Sequence, residues 1–149
     1  MYKRQGETSD DFYATQRGHV ALFQQHWTAD YTPRIALGRV IVPLDSADAT
    51  TRQRYRAYAE SRKARTLQPQ GERRTLFAPD LVGSSDEILE QLRQDPVLPL
   101  VRELRLELPY DFAPQDYAQI LHDVLRSIAP ELGWRPVAEP AAPVLEAVL

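Results

Sequence analysis

Apolar residues recur along this chain with two different periods, and the changes of period mark its elements. From Asp10 to about Trp27, the residues Phe12, Tyr13, Val20, Phe23 and Trp27 fall on one helical face, with Gly18 weakening the middle. Residues 34–44, RIALGRVIVPL, are rich in valine and isoleucine and bounded by Pro33 and Pro43-Leu44-Asp45. That is the pattern of a parallel strand buried on both sides. Ile35, Leu37, Arg39 and Ile41 share one of its faces; Ala36, Gly38, Val40 and Val42 share the other. Gly38 marks either a bulge or a close backbone approach. Asp45 or Ser46 then stands where it can cap a basic helix that runs to about Arg65 and carries Tyr55 and Tyr58. Residues 66–81 read as a polar connection punctuated by Pro and Gly, anchored by Leu76 and Phe77.

The stretch 81–132 has the clearest pattern. Ser84 and Glu87 have the spacing of a capping box, and Asp86 adds negative charge where the helix dipole favours it. Ile88, Leu89 and Leu92 give that short helix one apolar face before Asp95-Pro96 stops it. Glu103-Leu104-Arg105-Leu106-Glu107-Leu108 alternates strictly, the period of a strand with two unlike faces. Pro114 suits a first helical turn. Tyr117, Ile120, Leu121, Val124, Leu125 and Ile128 then predict one long amphipathic helix. Gly133 is placed to supply a left-handed cap, with Trp134 as a last contact.

The features Gly83-Ser84, Asp86-Glu87, Leu108-Pro109-Tyr110 and Ala129-Pro130 occur together in this order. In that combination the stretch resembles the C-terminal end of the luciferase-like, flavin-dependent monooxygenases, and the likeness runs roughly over residues 20–132. Ser85 is a departure, since the family often has proline there; both residues suit a helix start. The family fold is a (β/α)₈ barrel, which takes about 250 residues. The resemblance therefore implies an α/β chain that is a C-terminal fragment of a TIM barrel, two parallel strands with covering helices. It also implies a parent that oxidises a small organic substrate with oxygen and reduced flavin, FMN, supplied by a flavin reductase. Some relatives use a deazaflavin instead. The fragment is expected to be inactive alone, and its catalytic residues are expected to lie upstream.

Composition narrows this little. Hydrophobic content of 43% and charged content of 26% are those of a soluble globular chain, and the net charge of −3 gives no field for nucleic acid or an anionic membrane. Without cysteine there is no disulfide and no thiolate site, which fits a cytoplasmic protein. No apolar run approaches the roughly 20 residues of a membrane span. Residues 1–8 read as a leader or disordered terminus, 9–135 as the barrel portion and 136–149 as a Pro/Ala-rich tail.

Arg39 is the one candidate cofactor-binding residue. A mid-strand guanidinium cannot be buried unpaired without a cost of several kcal/mol. It either holds an anion, such as a flavin phosphate or an acidic substrate, or pairs internally with Glu103 or Glu107 on the neighbouring strand. Glu103, Arg105 and Glu107 form an alternating charged face that would line a barrel or be wet. The run 52–74 carries Arg52, Arg54, Arg56, Arg62, Lys63, Arg65, Arg73 and Arg74. With its tyrosines it has the makings of a nucleic-acid helix, but no accompanying motif supports that over the solvated face of a covering helix. His19, His26 and His122 lack metal-ligand spacing, and no metal is expected. Asp45, Ser46, Tyr110 and Asp111 follow strand ends, where barrel enzymes keep their sites. A different class of function stays open: a small non-catalytic binding or assembly module that uses either open strand edges, as a homo-oligomer, or the basic helix 52–74.

Overall fold

The structure is a computed structural model that describes residues 9–136, with side chains from residue 12 onward. The leader expected over 1–8 and the tail from 137 onward lie outside the described residues. Helix α1 spans Ser9–Gln25, strand β1 Ala36–Pro43 and helix α2 Ala49–Leu67. Strand β2 is Leu81–Gly83, helix α3 Ser85–Gln94, strand β3 Glu103–Glu107 and helix α4 Pro114–Asp123. The chain is α/β, built on one small open sheet of parallel strands in the order β2-β1-β3.

Two parallel strands are expected from sequence and three are found. The additional one, β2, pairs only Ile41↔Leu81, Val42↔Val82 and Pro43↔Gly83. Three residues are too few for an alternation to show, so Leu81-Val82-Gly83 reads as the lead-in to α3. The strand order is a second finding. Successive barrel strands neighbour one another, whereas here β1 lies between β2 and β3.

Helices cover both faces of this sheet. On one face Ile41 and Leu81 pack against Ile88, Leu89, Leu92 and Ile128. On the other, Val42 packs with Leu44, Tyr55 and Ile120, with the Tyr55 ring stacked on Phe112 at 4.8 Å. Burying each such side chain stabilises the fold by about 1.5–3 kcal/mol.

Helix α3 is held as its sequence predicts. The Glu87 N–H donates to Ser84 Oγ at 3.3 Å, and the Ser84 N–H donates to Glu87 Oε2 at 2.8 Å. Helix α2, by contrast, is capped by Asp48, which accepts from the Thr51 N–H at 2.8 Å; neither Asp45 nor Ser46 caps it.

The long closing helix is also shorter than its stripe implies. After Asp123 the backbone widens into a π turn, Val124–Ile128, with the Ala129 N–H reaching back five residues to Val124 O at 2.8 Å. A short 3₁₀ turn, Pro130–Leu132, follows, and Gly133 closes it in the left-handed region at φ 88°. Pro130 explains the break: in a continued α-helix its ring would collide with the Arg126 carbonyl, which is relieved when the turn opens. Within the stripe Ile120 and Ile128 are buried, but Leu121 and Leu125 are exposed.

Candidate functional site

Arg39 sits in the middle of β1 and is only 2% exposed. Its Nε donates to Asp95 Oδ2 at 2.7 Å, and its Nη2 lies 2.7 Å from the same oxygen. Nη1 donates to the Gly38 carbonyl and Nη2 to Gln16 Oε1, each at 2.8 Å. The rings of Phe12 and Tyr13 on α1 each lie 5.6 Å from the guanidinium carbon. Asp95 is the C-cap of α3, and its second oxygen accepts the Val97 N–H at 2.8 Å. One side chain thus ties together β1, the end of α3 and the first turns of α1. This is a charge-assisted cluster with both charges desolvated.

An internal ion pair is therefore present, but not with Glu103 or Glu107. The register explains why. β1 and β3 align Ala36↔Glu103, Gly38↔Arg105 and Val40↔Glu107. Aligned residues of neighbouring strands project to the same side, so the β3 charges share a face with Gly38 and Arg39 points the other way. On the charged face Arg105 Nη2 meets Glu107 Oε1 at 3.1 Å and Arg34 Nε meets Glu103 Oε1 at 3.5 Å. Gly38 makes a close approach and no bulge: a Cβ there would run into the Glu107 carboxylate and lie 3.2 Å from Arg105 Nη2.

Beside the Arg39 cluster lies an open cleft of about 480 Å³, lined by Tyr13, Arg17, Gln91, Gln94, Asp95 and Pro96. The carboxylate that reaches its wall, Asp95, is already committed to Arg39.

Two of the four residues at the strand ends are likewise occupied. Asp45 accepts from the Ser85 N–H at 3.0 Å and from Ser85 Oγ at 2.9 Å, which locks the end of β1 to the start of α3. The Ser46 N–H donates to Asp123 Oδ2 at 3.0 Å, and Gln119 Nε2 donates to the same oxygen at 2.7 Å. Tyr110 is 92% exposed, and Asp111 is exposed beside it. Sequence position brought these four into consideration; the structure makes two of them staples and leaves two at the surface.

Part of the basic run bonds back into the fold, although none of its eight basic residues is buried. Arg54 donates to both oxygens of Asp116, at 2.7 and 2.6 Å. Those two hydrogen bonds, helped by the Ala113 N–H, hold the Asp116 carboxyl below the usual carboxylate range against the opposing effect of burial. Arg62 and Arg65 converge on Asp80 at 2.6 and 2.8 Å, lying over the rings of Tyr58 and Phe77 respectively. Arg52 donates to the Leu44 and Asp45 carbonyls. Four arginines of the run thus bond within the fold. Burial, and after it the nearby Asp116 charge, pushes the Tyr55 hydroxyl above its ordinary pKa.

His19, His26 and His122 are all exposed, and among the described residues no cluster of His, Asp and Glu could hold a metal ion. No described helix is long and apolar enough to cross a membrane. The carboxylates that matter most here (Asp95, Asp80, Asp116 and Asp123) were not candidates from sequence. Asp95 reads there only as the residue before a helix-stopping proline, and the other three carry no local motif.

Against known families, curated proteins and solved structures, the chain has no match.

Proposed function

We propose that residues 20–132 are the closing portion of a (β/α)₈ flavin-dependent oxidoreductase of the luciferase-like kind, a cytoplasmic enzyme that oxidises a small organic substrate with oxygen and reduced FMN. The structural observation that supports this reading is the convergence of strand ends. β1 and β2 run parallel, and Asp45 after β1 binds Ser85 directly after β2. The box-capped helix of the family-like motif therefore starts at the C-terminal edge of a parallel sheet, where barrel enzymes build their sites. Among the described residues the sheet is also open at both outer edges, β2 and β3, as a portion taken from a closed barrel would be. The reading makes one demand on the fold: in the parent, β2 stands between β1 and β3, so β3 exchanges the β1 edge for the β2 edge.

A flavin supplies the redox chemistry when bound, and the protein positions it and excludes water. Arg39 does not fit a flavin phosphate as it stands, because its guanidinium is buried and bonded to Asp95, Gln16 and the Gly38 carbonyl. Within this reading Arg39 is a positioning residue that fixes β1. An anion-binding role would require Asp95 to give way. The flavin is then gripped by strands and loops beyond this portion.

The test is a graft. Residues 20–132 replace the corresponding segment of an active luciferase-like monooxygenase, and substrate oxidation is followed with a flavin reductase present. The graft is expected to turn over, and the chain alone is not. Stoichiometric turnover by the chain alone, or a folded graft that is inert, would overturn the reading.

A further inference from the structure

β3 presents a free backbone edge of defined geometry. The Glu103 N–H bonds the Ile35 carbonyl at 3.3 Å, and Glu103, Arg105 and Glu107 align with alternate β1 residues. In a parallel ladder, alternate residues turn both backbone groups to the same neighbour. Glu103, Arg105 and Glu107 therefore bond toward β1, and the N–H and C=O groups of Leu104 and Leu106 point outward. Among the described residues no strand lies on that side. No proline or bulge interrupts Glu103–Glu107, so its shortness and its alternating charges are what restrict the pairing of this edge.

Two further observations say what the edge accepts. Beside it runs an apolar groove of about 640 Å³, lined by Leu104, Leu106, Leu121, Leu125, Ile128 and Trp134. Leu121, Leu125 and Trp134 are 40%, 50% and 46% exposed. On the opposite side of the strand the charges alternate in sign, Glu103, Arg105, Glu107, and all three side chains reach water.

We propose that this edge pairs with the same edge of a second copy, antiparallel, about a two-fold axis through Leu106. The register follows from hydrogen bonding and charge together. Outward-facing residues must meet as hydrogen-bonded pairs, which leaves axes through Leu104, Arg105 or Leu106 within the strand. An axis at Arg105 sets Arg105 against itself and Glu103 against Glu107 of the partner, which is repulsive. An axis at Leu104 satisfies Arg105 with Glu103 but leaves Glu107 opposite Val101. An axis at Leu106 places Arg105 opposite Glu107 twice, in the close, non-hydrogen-bonded positions where side chains interact most strongly. It also sets Leu106 against Leu106, with the two apolar grooves brought alongside. It leaves Glu103 opposite Pro109, but Glu103 keeps its own partner, Arg34. At the Leu104 axis, by contrast, Glu107 would have to share its one partner, Arg105, with Glu103. The proposal does not rest on the flavin reading, and its failure leaves that reading standing.

The experiment is sedimentation velocity on the full chain over a wide concentration range, with circular dichroism to confirm folding. The wild type is expected to show a concentration-dependent dimer. Arg105→Glu and Glu107→Arg each weaken it by about tenfold or more, because both cross-strand pairs become repulsive. An equimolar mixture of the two variants recovers the dimer as a heterodimer, since each reversed charge then meets its opposite. A wild type that stays monomeric throughout, a dimer unmoved by either reversal, or a mixture that fails to recover would overturn the proposal. Should a reversal impair folding, Leu106→Cys in this cysteine-free chain decides the matter. Residues at a hydrogen-bonded antiparallel pair stand about 5.5 Å apart, within disulfide reach. Mild oxidation then links two Leu106→Cys chains and leaves Leu104→Cys chains unlinked; the reverse pattern, or no link in a folded Leu106→Cys chain, would overturn it.

Discussion

Replacing Asp95 by alanine tests whether the Arg39 cluster holds this fold together. The Arg39 side chain is 1% exposed and that of Asp95 4%, so both charges are desolvated. Removing Asp95 leaves the guanidinium with Gln16, the Gly38 carbonyl and two ring faces, none of which carries a negative charge. The Val97 N–H loses its acceptor as well. Breaking a buried pair from one side costs about 3–5 kcal/mol. Against a total stability of about 5–15 kcal/mol, that is a large share. Urea unfolding, with the change read from the midpoint at constant slope, measures it. The double replacement Arg39→Met with Asp95→Leu should recover much of the loss, because no unpaired charge remains buried. A change below about 1 kcal/mol for Asp95→Ala would refute the reasoning, because it would mean that water or another group reaches Arg39 freely.

Three further outcomes are expected. Asp116, Asp48 and Glu87 have carboxyls held below their ordinary values, chiefly by Arg54, the Thr51 N–H and the Ser84 N–H respectively. Groups shifted down in the folded state add stability that is complete above their unfolded values near 4 and is lost as pH falls through the lowered folded values. Unfolding midpoints should therefore fall below about pH 4, and less steeply in Asp116→Asn; an identical acid slope in that variant would contradict this. Ser84→Ala removes half of the capping box on α3 and should cost about 1 kcal/mol in the same urea assay; no change would show that the box contributes nothing. Cysteines at Ala36 and Glu103, aligned across β1 and β3, should form an intramolecular disulfide in the isolated chain, since neighbouring strands lie about 4.8 Å apart. Failure to link in a folded chain would mean that β3 does not lie on the β1 edge.

How much of this was legible beforehand depended on how local each cause is. The α3 cap is a contact between residues three apart, so Ser84 and Glu87 predict it directly. Strand β1 is long enough for its apolar run to identify it, and β3 for its alternation. β2 has three residues and exists because the end of β1 offers it a partner, which no local pattern reveals. Alternation also divides each strand into faces without saying which face of one aligns with which face of another. For that reason the sequence offers a β3 glutamate as the partner of Arg39, while the register turns Arg39 away from that face and toward Asp95. Asp95 was visible only as the residue before Pro96, although a carboxylate at a helix end can receive a distant arginine. The closing stripe from Tyr117 to Ile128 reads as one helix because the effect of Pro130 runs backward, onto the carbonyl of Arg126. The strand order β2-β1-β3, which bears most on the barrel reading, is a tertiary choice and leaves no trace in periodicity.

The most direct test of the proposed function is a titration with FMN, followed by flavin fluorescence, of the isolated chain and of the graft of residues 20–132 into a luciferase-like monooxygenase. Saturable binding by the graft, with none by the folded isolated chain, is the predicted result. A folded graft that leaves FMN fluorescence unchanged would contradict the proposal, because these residues would then be unable to close a flavin-binding barrel.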